Sequence, residues 1–133
     1  MTKKQFTLYV ENRPGVLAEI TEELASEKIN IEGISVSEST DVGIIQIVVS
    51  NAARTKKVLK ASRVPFTVQD VAVLSLKNEP GALSGVVSTL AKQEVNVNYI
   101  YATAATNKGE GSSFVVISAP NLKKVEQACK QKK

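Results

Sequence analysis

The sequence predicts an α+β protein made of two tandem βαββαβ modules, residues 1–70 and 71–133, the second lacking its final strand. Three observations carry that reading. First, Asn12-Arg13-Pro14-Gly15-Val16-Leu17 recurs 66 residues on as Asn78-Glu79-Pro80-Gly81-Ala82-Leu83, and Ile29-Asn30-Ile31 recurs at the same shift as Val95-Asn96-Val97. Ile20 with Val86, Leu24 with Leu90 and Ala25 with Ala91 fill the interval. Second, within each copy the apolar period changes from two to about 3.6 across the Pro-Gly corner. Third, after the last helical pattern the chain offers only Lys-Gln-Lys-Lys.

Phe6, Leu8 and Val10 alternate with Thr7 and Tyr9, which makes a strand; Ala72, Leu74 and Leu76 are the counterparts. Beyond the corner Leu17, Ile20 and Leu24 share one face of a helix, as do Leu83, Val86 and Leu90. Pro14 and Pro80 are placed in the first helical turn, where a missing N–H costs nothing. The helix is expected to end near Lys28. A β-rich stretch follows at 29–37 and 95–103, then a polar turn at 38–43 and 104–111, the second looser because it holds Asn107, Gly109 and Gly111. A buried strand comes next at 44–49 and 114–118. Asn51 and Asn121 can cap a second helix, with apolar faces Val58, Leu59 and Ala61, and Leu122, Val125 and Cys129.

Pro65 stops the first copy's second helix. A fourth strand at 66–69 runs without a linker into the next strand at 71–76, so the modules are expected to be rigidly joined. The second copy has no such strand. Its absence would leave an open edge beside that copy's first strand, and a neighbouring segment or another chain is expected to pair there.

Composition narrows the function. The 133 residues are 43% apolar and 23% charged, a soluble globular profile. Two half-length modules are each marginal alone, so mutual packing or oligomerisation is expected. The net charge of +4 comes from 17 basic and 13 acidic residues and is partly terminal, at Lys3, Lys4, Lys130, Lys132 and Lys133. No basic element interleaved with aromatics occurs, so no nucleic-acid partner is expected. Cys129 is the single cysteine, which rules out an intramolecular disulfide, reads as a small core residue and suits a reducing cytoplasm. Residues 1–5 are polar and do not read as a signal peptide. No apolar run is long enough for a bilayer, so no membrane partner is expected.

Catalysis has no candidate constellation. There is no histidine, and hence no His-containing metal site. Neither G-x-x-x-x-G-K-[ST] nor G-x-G-x-x-G occurs, so neither a metal nor a cofactor is expected. Glu19, Glu22, Glu23 and Glu27 read as the solvated side of the first helix.

A strand, an N-x-P-G-x-L turn, a helix and a strand opening with Ile29-Asn30-Ile31 or Val95-Asn96-Val97 together resemble the ACT domain, a small-molecule sensor attached to many enzymes of amino-acid metabolism. Both copies carry the pattern, and the resemblance spans residues 6–129, as in a stand-alone tandem ACT protein. It implies a ferredoxin-like fold, ligands held between paired modules, a homodimer and an allosteric role with an amino acid as ligand.

The chemistry of the corner agrees with this. Gly15 and Gly81 permit backbone angles other residues avoid and a close approach to the main chain. The amides that follow open a helix and suit a carboxylate. Asn12 and Asn78 can accept from a ligand ammonium, and Asn30 and Asn96 can add polar contacts from a paired module. With Arg13, Pro14, Val16, Leu17, Ile31, Glu79, Pro80, Ala82, Leu83 and Val97 they form the candidate ligand-binding set. The competing reading is structural: Pro-Gly makes the turn, and each asparagine satisfies local backbone. Arg13 and Glu79 occupy one place with opposite charge, so two sites would differ in preference. Arg13 either pairs with a carboxylate or is an exposed loop charge. Tyr99 and Tyr101 share a strand face and either wall a pocket or pack on the sheet. Three functions stay open: an amino-acid sensor, a regulatory subunit docking in trans on an amino-acid biosynthetic enzyme, and an interaction scaffold with degenerate sites.

Overall fold

The computed structural model describes residues 2–104 and 112–130. In chain order the elements are β1 (Thr2–Glu11), α1 (Val16–Ser26), β2 (Ile31–Ser39), β3 (Val42–Val49), α2 (Ala52–Ala61), β4 (Phe66–Lys77), α3 (Ala82–Lys92), β5 (Tyr99–Ala104), β6 (Ser112–Ser118) and α4 (Leu122–Lys130). The looser second hairpin turn expected around Asn107, Gly109 and Gly111 lies outside the described residues. Two compact units emerge: Lys4–Gln69, and Asp70–Lys133 with Met1–Lys3.

In the first unit the strand order is β2-β3-β1-β4. β3 is antiparallel to β1, with Phe6 facing Ile47 and Leu8 facing Ile45, and antiparallel to β2, with Ile34 facing Ile47 and Glu38 facing Gly43. Thus β1 and β2 run parallel, and their C-terminal ends lie together. The alternation read from the sequence puts Phe6, Leu8, Ile45, Ile47 and Val49 on the face covered by Ile20, Leu24 and Leu59 of the helices. The rings of Phe6 and Phe66 tilt against each other at 5.7 Å between centroids. The second unit repeats the plan with β4, β6 and β5: Ala72 faces Ile117, and Ile100 faces Ile117 from the other side. Its core is Ala72, Val86, Leu90, Val115, Ile117, Val125 and Ala128.

The strand the second copy lacks is replaced from within the chain. Thr2 and Lys3 belong to the second unit and lie on β1, the strand that flanks β4. Thr2 Oγ1 donates to Glu126 Oε2 of α4 at 3.0 Å. Residues 2–5, read from the sequence as a polar lead-in, are therefore strand. Gln5 is fully buried; it donates to Thr7 Oγ1 at 3.3 Å, and Thr7 donates to Gln69 Oε1 at 3.0 Å. This satisfied ladder lets polar groups sit in a strand interior.

Several expected boundaries shift for identifiable reasons. Pro14 and Pro80 lie before the N-caps Gly15 and Gly81, not in the first helical turn. The buried stripe of α1 is accordingly Val16, Ile20 and Leu24, while Leu17 is 39% exposed and Leu83 in α3 is 49% exposed. α1 ends at Ser26 because Lys28 turns left-handed at φ 59°; its amide reaches Ala25 O, and that of Ile29 reaches Leu24 O at 2.9 Å. Arg63 (φ 60°) and Glu94 (φ 56°) end α2 and α3 by the same paired bonds. This is the Schellman arrangement. Ile29 and Val95 are thus the residues just past the caps, not strand residues. β5 starts later than β2 because Ser50 donates its amide to Asn30 O in the first copy, whereas Pro120, beside Asn121 as Ser50 is beside Asn51, has no N–H to give.

Asn51 caps α2 by accepting from the Arg54 amide at 3.0 Å, and Asn121 accepts from the Lys124 amide at 3.1 Å. On α2 the buried positions are Thr55 and Leu59; Ala61, two residues past Leu59, falls outside that face and is exposed. On α4 Val125 and Ala128 are buried, with Leu122 and Cys129 partly so.

Two outcomes follow for stability. Lys28→Gly relieves a left-handed non-glycine residue and should raise the unfolding free energy by about 1 kcal/mol in urea titration. Removing residues 1–3 should strip protection from β4 and β6 in hydrogen exchange while β2 and β3 keep theirs; equal loss in both units would contradict the strand replacement.

Candidate functional site

Each Pro-Gly corner is built by one turn. The Val16 amide donates to Arg13 O at 3.5 Å, across Pro14 and Gly15, and the Ala82 amide donates to Glu79 O at 3.2 Å, across Pro80 and Gly81. Gly15 (φ 93°, ψ −18°) and Gly81 (φ 90°, ψ −14°) hold the third turn position. Proline second and glycine third with positive φ are the requirements of a type II turn. No side chain caps either helix. The next intrahelical donors to close are Glu19 to Gly15 O and Gly85 to Gly81 O, both at 2.9 Å. Among the described residues the amides of Gly15, Leu17 and Ala18, and of Gly81, Leu83 and Ser84, have no protein acceptor. One amide per corner is thus used by the turn itself and three are left.

A cleft opens beside each corner. In the first unit it measures ≈ 250 Å³ and is bordered by Asn12, Arg13, Val16 and Leu17 with Val36, Ser37, Glu38 and Gly43. In the second it measures ≈ 260 Å³ and is bordered by Asn78, Glu79, Ala82 and Leu83 with Tyr101, Ala102 and Ser113. Both are below the roughly 300–1,000 Å³ typical of drug-sized ligands and suit a smaller molecule. Each pairs a polar rim with an apolar wall that includes the half-exposed Leu17 or Leu83.

The residues nominated from sequence divide. Asn12, Arg13, Val16 and Leu17, and Asn78, Glu79, Ala82 and Leu83, border the clefts; Pro14, Gly15, Pro80 and Gly81 shape the turn behind them. Asn30, Ile31, Asn96 and Val97 border neither cleft. Asn30 is eight residues from Glu38 along one strand, about 25 Å at the rise of a β-strand, and its amide is used by Ser50 Oγ at 3.0 Å. Asn12 gives its side-chain amide to Glu38 Oε2 and its main-chain amide to Asp41 O. Arg13 lies 3.5 Å from Glu11 and 3.6 Å from Glu19, all three exposed, so these pairs contribute little to stability.

The far wall of the first cleft, Val36 and Glu38, went unnoticed in the sequence, which offers Tyr101 of the second as either a pocket wall or sheet packing. Val36, Glu38 and Tyr101 reach the corner because β1 and β2, and equally β4 and β5, run parallel. The strand–helix–strand order carries that signal, since a parallel pair brings both C-terminal ends to one side. Tyr99 and Tyr101 stack at 6.3 Å and 18°. Burial, and then Tyr99, push the Tyr101 phenol well above its ordinary pKa, so it stays a neutral hydroxyl. Among the described residues no group of Cys, Asp and Glu could hold a metal, and no helix is long and apolar enough to cross a membrane.

A family model described as an ACT domain pair matches residues 1–130. Protein BT0572 from Bacteroides thetaiotaomicron is similar in structure with a TM-score of 0.88 and 35% identity, over 99% of this chain and 89% of that one. The regulatory subunit of aspartate kinase from Thermus thermophilus shares the fold at a TM-score of 0.68 and 18% identity, over 97% and 91% of the two chains. A putative C-terminal regulatory domain of aspartate kinase from Porphyromonas gingivalis W83 does so at 0.62 and 18%, over 99% and 94%. No curated protein matches the sequence.

Because an added Cβ at Gly81 meets nothing within 4 Å, Gly81→Ala tests the turn angle alone. It should cost about 1–2 kcal/mol in urea unfolding, and Gly81→Asn less, since asparagine tolerates the left-handed region. Equal loss for both would contradict the angular requirement.

Proposed function

The chain belongs to the ACT domain family as a tandem pair, and from that premise we propose that it is a non-catalytic regulatory protein that senses an amino acid at its two Pro-Gly corners. The observation that carries this reading is the set of three unpartnered amides at the head of a capless helix, opening on a cleft of metabolite size, present twice. Converging amides at a helix N-terminus favour a carboxylate. Asn12 or Asn78 offers a side-chain carbonyl for the ammonium, and Leu17 or Leu83 an apolar surface for the side chain.

We assign the second half of each site to another copy of the chain. β2 lies at the edge of its sheet and exposes Ile34 and Val36, next to the exposed Leu17. Antiparallel pairing of two such edges centred on Ile34 and Ser35 sets Ile31 of one copy against Glu38 of the other. Asn30 then stands at the mouth of a corner it cannot reach within its own module. A homodimer built this way covers an edge that would otherwise invite aggregation. Ligand held across the interface would favour the paired geometry, because a ligand biases only states it binds unequally.

A second reading, docking in trans on an amino-acid biosynthetic enzyme, draws support from the likeness of fold to chains described as aspartate kinase regulatory subunits. The two differ in the laboratory. Calorimetry against the twenty amino acids should give heat with at least one at millimolar concentration, and Asn12→Ala should weaken it severalfold. Heat with none, alongside recovery of an enzyme on the immobilised protein, would favour the second reading.

A further inference from the structure

We propose that Glu38 makes the first corner selective for ligands that carry an ammonium group, whereas the second corner binds through the carboxylate with little regard for the amine. The proposal rests on the sensor reading above and divides its two sites by chemistry.

Glu38 stands at the C-terminal end of β2, opposite Gly43 and beside the corner. Its Oε2 accepts from Asn12 Nδ2, which steers the carboxylate toward the cleft. That bond uses the donor end of Asn12 and leaves the side-chain carbonyl as an acceptor. The cleft then has an acceptor wall, Glu38 with Asn12, facing a donor corner, the amides of Gly15, Leu17 and Ala18. A zwitterion presents the complement: three N–H donors at one end and a carboxylate at the other. Arg13 does not neutralise Glu38, because its guanidinium is turned to Glu11 and Glu19.

The second corner is different in kind. The position 66 residues after Glu38 is Ala104, which has no carboxylate to offer. Asn78 has no side-chain partner among the described residues to fix its carbonyl. Among the described residues the charges bordering that cleft are Lys77 and Glu79, which offset each other, while those bordering the first are Glu11, Arg13 and Glu38, leaving one negative charge in excess. A charge-assisted bond to an ammonium is among the stronger polar contacts available, so the presence of Glu38 at one corner separates the preferences for the amine of two corners whose backbones match.

The test uses the full chain, the twenty amino acids and their 2-hydroxy acid analogues, with corner occupancy read from the Leu17 and Leu83 amide NMR signals. At the first corner the amino acid should bind more tightly than its hydroxy analogue. Glu38→Gln should cut amino-acid affinity there about tenfold while barely moving the analogue. Ala104→Glu should create the same discrimination at the second corner. Glu38→Gln leaving the ratio unchanged, or tightening both ligand classes as it would if Glu38 merely filled the cleft, would overturn the proposal with the sensor reading intact. Absence of binding by either class at either corner would remove both.

Discussion

A glycine held near φ +90° is the constraint on which both corners depend. At that angle the chain leaves its strand, makes a proline-led turn and enters a helix within four residues, with a glycine and hence no capping side chain at the N-cap. The turn consumes one amide and exposes three. Capping by serine, threonine or aspartate, common elsewhere, would have satisfied one of those donors internally. α2 shows the contrast: Asn51 closes on the Arg54 amide with its own side chain. The same chain therefore contains helices capped by a side chain and helices without such a cap, and the uncapped ones are those that follow a Pro-Gly corner.

The parallel course of β1 and β2 gives the corner its second wall. It follows from pairing both strands antiparallel to β3, so packing Phe6 and Leu8 against Ile45 and Ile47 and carrying Glu38 to Asn12 are one consequence of a single register. A slip by one residue would invert every side chain and dismantle core and cleft together.

Much of this was legible in the residues. The repeat, the order of elements, the Pro-Gly corner and both asparagine caps follow from local chemistry, and the exposed half of each site lies within the recurring motif. Helix ends were harder to see, because Lys28, Arg63 and Glu94 occupy positions where glycine is the usual marker. The apolar stripe of α1 was set one residue off, since Val16 and Leu17 are both apolar and only the turn decides which is buried. Glu38 stayed hidden because it joins the corner through tertiary pairing. The replacement of the second copy's fourth strand by Thr2 and Lys3 has no local signature at all: it depends on the opposite end of the chain.

The central claim concerns six backbone amides, and amide-resolved NMR reads them directly. On titration with the amino acid that gives heat, the amides of Gly15, Leu17 and Ala18, or of Gly81, Leu83 and Ser84, should shift downfield and gain hydrogen-exchange protection as they acquire a carboxylate acceptor, while the Glu19 and Gly85 amides, already bonded, move little. Ligand binding that left all six unshifted, with the perturbations elsewhere on the sheet, would contradict the account.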